Sequence, residues 1–111
     1  MRVLFVCSRN RLRSPTAEQI FSDYPNLEVS SAGLNPDAEE ILSSELVEWA
    51  DIIFVMEKSH RAKLIRNFAS FLRDKRVICL DIPDDFDYMQ PELIALLKTK
   101  ATPFLLNSKN F

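Results

Sequence analysis

The sequence predicts an α/β fold: a three-layer sandwich with a central four-stranded parallel sheet, strand order 2-1-3-4, and helices on both faces. Three observations lead there. Short apolar runs alternate with helical periods in the order β-α-β-α-β-α-β-α. The run VLFV at 3–6, and the runs DIIFVM at 51–56 and RVICL at 76–80 after their first residues Asp51 and Arg76, are continuously apolar, as strands covered on both faces are. No repeat or low-complexity linker divides the 111 residues, so one core and one domain are expected.

The elements follow in order. Val3 to Val6 form a central strand ending at Cys7. In SPTAEQIFSDY, Ser14 is expected to cap a helix, Pro15 to occupy its first position, and Ala17, Ile20, Phe21 and Tyr24 to share its buried face. Pro25 and Asn26 end it, LEVSS at 27–31 alternates as a second strand, and Gly33, the single glycine of the chain, turns after it. NPDAEEIL, from Asn35, reads as a short helix, and Ser43 or Ser44 caps another ending at Trp49. After the third strand, Leu64, Ile65, Phe68, Phe71 and Leu72 mark one face of a helix. RVICL is the fourth strand. Pro91 opens a last helix with Leu93, Ile94 and Leu97 inward, and Pro103 is expected to break or kink it.

Composition excludes several classes. A net charge of −2 gives no pull toward nucleic acid or an anionic membrane, and no apolar run suits a membrane span or secretory signal, so a cytoplasmic protein is expected. Charge is uneven all the same: residues 2–13 hold four arginines and no acid, while residues 37–57 hold seven acids and no base. That acidic run reads as a solvated helical face. The lone His60 reads as a surface residue, and without His or Cys pairs at ligand spacing neither a metal nor a cofactor is expected. Cys79, inside an apolar strand, and Trp49 read as core.

Cys7 stands where the first strand ends and Arg9, Arg11 and Arg13 begin. A loop joining a buried strand to a helix N-terminus turns backbone N–H groups toward one point, and the helix dipole adds positive potential there. An anion fits that cradle. A thiol placed in it beside Arg13 is held as the thiolate, hence as a nucleophile. A guanidinium can grip two oxygens of a tetrahedral oxyanion while the sulfur faces the central atom, and phosphate is the obvious candidate. The Cys-x5-Arg spacing is weak by itself. It gains weight from the strand before it and from Ser14 and Pro15 after it.

The stretch VCSRNRLRSPTAE at 6–18 resembles the signature VCxGNxCRSPxAE of the low-molecular-weight protein tyrosine phosphatases. SSAG at 30–33, ADIIFVM at 50–56 and the acid-bearing loop after the last strand extend the resemblance over most of residues 1–111. It implies one phosphatase-like domain that hydrolyses phosphomonoesters through a phosphocysteine, without a metal or cofactor. The substrate implied is a phosphorylated protein or a small aryl phosphate, with inorganic phosphate as product and neither nucleic acid nor membrane as partner. By the same resemblance Cys7 attacks phosphorus and Arg13 binds the phosphoryl oxygens. Ser8, Arg9, Asn10, Arg11, Leu12 and Ser14 complete the phosphate-binding loop, with Ser14 bonded to the thiolate. Asn10 suits the left-handed conformation that a tight loop needs. The general acid of the family precedes Pro in DPY; PDDF here makes Asp84 the first candidate, partly desolvated by Phe86, with Asp81 the alternative and Asp85 and Asp87 close by.

The chain departs from the pattern in three further places. The loop glycine is Arg9, the second loop cysteine is Leu12, and the segment from Gly33 to Ala50, which supplies an aromatic wall in the relatives, is short. Trp49, Phe86 and Tyr88 are the available replacements. Arg9 and Arg11 either recruit a polyanionic substrate or are solvated loop residues. Three other functions stay open: a phosphate-recognising module with little turnover, an arsenate reductase of the same fold with Cys79 as resolving thiol, and a phosphocarrier like the cysteine-phosphorylated domains of sugar transport. The RSP context and the acidic loop weigh against the carrier.

Overall fold

A computed structural model describes residues 1–109, so the last two residues of the expected 1–111 domain lie outside the described residues. Four strands, β1 (Arg2–Cys7), β2 (Glu28–Gly33), β3 (Ile52–Val55) and β4 (Arg76–Cys79), pair in parallel in the order β2-β1-β3-β4. This is the predicted sheet. β1 is central and buried on both faces, and its side chains divide by the two-residue period of a strand. Val3, Phe5 and Cys7 face one core with α1 (Arg13–Phe21) and α4 (Pro91–Lys109); Leu4 and Val6 face another with α2 (Ser44–Trp49) and α3 (Lys58–Phe68). The first core is stacked through Phe5, whose ring lies 5.5 Å from Phe21 and 5.2 Å from Phe54.

Local rules explain most of the elements. Ser43 caps α2 by accepting from the Leu46 N–H at 3.2 Å, as the sequence suggests. α1 differs from expectation: it starts at Arg13 with Leu12 before it, and Ser14 lies inside the first turn rather than capping. Pro15 is then the third helical residue, still among the first four whose N–H groups have no partner within the helix. Leu64 is buried on α3 but Ile65 is 45% exposed, so the apolar stripe is narrower than its spacing suggests. On α4, Leu93 and Leu97 are buried and Ile94 is partly so. The helix also runs on through Pro103. Ala101 and Leu105, buried on either side of it, hold that turn against the core.

Residues 35–42 form no helix; turns there lead to a single bridge between Gly33 and Ile41. The reason is competition for their N–H groups. Leu34 donates to Cys7 O at 3.0 Å, Asn35 to Ser8 O at 2.9 Å and Glu39 to Arg9 O at 3.1 Å. This segment therefore lies directly on the first loop, and Gly33 is where it comes closest. A Cβ on Gly33 would sit 2.6 Å from Ala38 Cβ and 2.7 Å from Ser8 O, well inside van der Waals distance.

Gly33→Ala should accordingly lower stability by about 2 kcal/mol or more, since a backbone oxygen and a buried methyl have nowhere to move. Urea denaturation measures this; a loss below about 0.5 kcal/mol, within the range of neutral surface changes, would show that the approach is not tight.

Candidate functional site

The residues after β1 build the site from the backbone outward. In a planar trans peptide the C=O of one residue and the N–H of the next point in opposite directions. The carbonyls of Cys7, Ser8 and Arg9 all point at the 34–39 segment, so the N–H groups of Ser8, Arg9 and Asn10 turn the other way. Asn10 shows the result: its N–H donates to Cys7 Sγ at 3.3 Å. Asn10 reaches this geometry with φ of 56°, the left-handed region that Asn tolerates better than most residues. Its side chain is fixed from behind, since Nδ2 donates to Ser31 Oγ at 2.9 Å and Ser31 in turn donates to Glu18 Oε1 at 2.5 Å.

Cys7 and Arg13 are both 3% exposed, at the floor of an open cleft of about 530 Å³ lined by Cys7, Ser8, Arg9, Arg11, Leu12, Arg13, Asn35 and Asp84. Arg13 Nη1 donates to Glu57 Oε2 at 2.6 Å and to Ile82 O at 2.8 Å, and its Nε lies 3.7 Å from Asp84 Oδ1. The buried guanidinium thus has a carboxylate partner, without which its burial would cost several kcal/mol. Among the described residues Ser14 Oγ is buried with no hydrogen-bond partner; the contact to the Cys7 sulfur implied by the resemblance is not formed. A hydroxyl in that state costs about 1–3 kcal/mol and keeps an open donor in the first turn of α1.

The acidic loop is fixed at both ends. Ile82 donates to Met56 O at 2.8 Å, and Met89 donates to Thr16 Oγ1 at 2.9 Å. Between these anchors Asp84 reaches the cleft with a side chain 62% exposed, in place of the partial desolvation expected from Phe86, which packs on the first core. Asp81 lines a separate hollow with Glu57, Lys58 and Pro83. Among the described residues no aromatic side chain lines the Cys7 cleft: Trp49 borders a different one, and Tyr88 is 50% exposed. Arg9 occupies the position of the family glycine without a positive φ and with its side chain turned outward to Asp37.

Two residues read as surface groups in the sequence belong to this site. His60 is 5% exposed, and its Nε2 lies 2.9 Å from Ser8 Oγ. Its Nδ1 accepts from the Glu57 N–H at 3.1 Å, so in the neutral ring the proton sits on Nε2 and is donated to Ser8. Glu57 closes the exchange by accepting from the His60 N–H, a capping box at the start of α3, and it also holds Arg13. The sequence carries part of this signal: Glu57 and His60 have capping-box spacing directly after an apolar strand.

Burial lowers the His60 pKa from its ordinary value of 6.5, and the Arg13 charge lowers it further, more than the nearby carboxylates of Glu57 and Asp84 raise it. Cys79 takes no part in the site. It packs on the opposite face of the sheet from Cys7, and β3 separates their strands, about 10 Å at the usual strand spacing and beyond disulfide reach.

Comparison with known proteins bears on the fold and on the first motif. A family model described as low molecular weight phosphotyrosine protein phosphatase matches residues 2–46, which include β1, the loop and Gly33. No curated protein matches the chain by sequence. Among solved structures, YwlE arginine phosphatase from Geobacillus stearothermophilus is 22% identical with a TM-score of 0.77, over 98% of this chain and 96% of its own. A mutant of YwlE arginine phosphatase with a phosphorylated active site serine is 25% identical with a TM-score of 0.72, over 94% and 95%. The tyrosine phosphatase Wzb from Escherichia coli K30, in complex with phosphate, is 20% identical with a TM-score of 0.74, over 93% and 94%. The chain therefore has the fold of the low-molecular-weight phosphatases, and the resemblance read from its sequence to that family is borne out.

Protonating His60 would place an N–H on Nδ1 against the Glu57 N–H, which breaks the capping box. With the folded pKa below 6.5, the unfolded chain binds the proton more readily, so stability is full above about pH 6.5 and falls as the pH drops below it. Denaturant titrations of the wild type and His60→Gln at pH 7.5 and 5.0 should show the larger acid loss in the wild type. Equal losses in the two proteins would contradict this.

Proposed function

We propose that the chain is a phosphomonoester hydrolase of the protein-tyrosine-phosphatase type, working through a phosphocysteine on Cys7. The observation that carries this reading is the cleft itself: a buried sulfur, a buried guanidinium and one carboxylate, Asp84, border the same space. The family model over residues 2–46 and the likeness to both arginine and tyrosine phosphatases support it.

In the first step the Cys7 thiolate attacks phosphorus, an S–P bond forms and the P–O bond to the leaving group breaks. Asp84, protonated, gives its proton to the departing oxygen. Arg13 and the N–H groups of the loop hold the three non-bridging oxygens, over which the transition state spreads its charge. Fixed protein dipoles and one guanidinium meet that charge, so the mechanism calls for no metal. Water then attacks the phosphocysteine with Asp84 taking its proton, the S–P bond breaks, and inorganic phosphate and the thiolate are regenerated. The open hydroxyl of Ser14 is available to the sulfur when it leaves phosphorus as an anion.

Steady-state hydrolysis of phenyl phosphate tests the assignment. Cys7→Ser should abolish turnover, and Asp84→Ala should lower kcat about 100-fold or more, in the usual range for removing a general acid. Asp81→Ala should stay within about threefold of wild type, as expected of a carboxylate outside the cleft. An active Cys7→Ser variant, or a loss on Asp81→Ala with Asp84→Ala unaffected, would overturn the roles of Cys7 and Asp84.

A further inference from the structure

The cleft proposed to hold the phosphoryl group is bordered by three arginines, of which one is enough for that group. Arg13 is on its floor; Arg9 and Arg11 stand on its rim, with side chains 59% and 51% exposed. Among the described residues no aromatic side chain borders this space to hold a phosphotyrosine ring. Each rim arginine faces an acid of the neighbouring turn: Arg9 Nε lies 3.3 Å from Asp37 Oδ2 and Arg11 Nε 4.0 Å from Glu39 Oε1. The partners are as exposed as the arginines, 55% and 69%, and such pairs are worth about 0–1 kcal/mol, so another carboxylate can exchange with them at little cost.

The spacing of those acids describes the ligand. Asp37 and Glu39 are two residues apart, with Glu39 tied to the loop by its N–H to Arg9 O at 3.1 Å. They present two carboxylates, one to each rim arginine, and a peptide with two acids close together in sequence could supply both in their place. A small phosphoester with one further charge would engage one arginine; a peptide segment engages both.

We propose that Arg9 and Arg11 form a second anion subsite that selects phosphorylated protein segments with acidic residues beside the phosphorylated side chain. Asp37 and Glu39 fill the subsite in the free protein. Specificity then comes from flanking charge in place of an aromatic wall. The proposal rests on the phosphatase reading for the position of the phosphate, but the subsite acts in binding as well as in turnover.

Two phosphotyrosyl peptides that differ only in flanking Asp-x-Glu against Asn-x-Gln test it. Their affinities are measured by fluorescence anisotropy with Cys7→Ser, the variant expected not to turn over, and their kcat/KM with the wild-type chain. The acidic peptide should bind about tenfold more tightly at low salt, with the preference shrinking as ionic strength rises. Arg9→Gln with Arg11→Gln should remove the preference. Asp37→Asn with Glu39→Gln should raise affinity for the acidic peptide about threefold by emptying the subsite, a gain that a purely structural role for these pairs does not give. Equal binding of the two peptides, binding of neither, or a preference that survives loss of both arginines would overturn the proposal. A binding preference without hydrolysis of either peptide would sustain the subsite and overturn the phosphatase reading alone.

Discussion

Three backbone carbonyls turned the same way organise this molecule. By giving Cys7 O, Ser8 O and Arg9 O to the N–H groups of residues 34, 35 and 39, the chain fixes the first loop with its donors facing inward. An isolated loop would hold those carbonyls in water as readily in other orientations. The neighbouring segment makes one orientation the folded one, and it comes close enough only because Gly33 has no side chain between Ser8 O and Ala38. The loop is therefore a product of tertiary packing, and the single glycine of the chain stands at the contact that packing requires.

A second layer ties the loop to the rest of the sheet. Arg13 reaches Glu57 after β3 and Ile82 after β4, while His60 reaches Ser8, so the ends of three strands are joined around the cleft by charged or directional bonds. Glu57 is engaged twice, as partner of the guanidinium and as half of the capping box. The same contacts that stabilise the start of α3 thereby orient the residue expected to hold phosphate. Stability and site geometry are coupled here through hydrogen bonds from the first turn of one helix.

The four strands, their alternation with helices and the nucleophile loop were legible in the sequence because they rest on local signals: apolar strands, a helix with Pro15 in its first turn, and a compact motif from Val6 to Glu18. The missed elements depend on contacts far apart in sequence. Glu57 and His60 look like solvated groups until the fold brings Arg13, 44 residues earlier, and Ser8, 52 residues earlier, beside them. The helix expected from Asn35 has the right Pro and acids at its start, but its N–H groups are claimed by the first loop. Pro103 does not break α4 for the converse reason, since the burial of Ala101 and Leu105 carries the helix past a residue that local propensity places at a helix end.

The central claim is that residues 7–13 cradle a tetrahedral oxyanion with the Cys7 sulfur at its centre. A crystal structure of the protein with orthovanadate tests it most directly. The expected result is vanadium bonded to Cys7 Sγ, its equatorial oxygens on the loop N–H groups and the Arg13 guanidinium, and an apical oxygen facing Asp84. Vanadate bound away from Cys7, or a cleft that stays empty at saturating vanadate while the fold is intact, would contradict it.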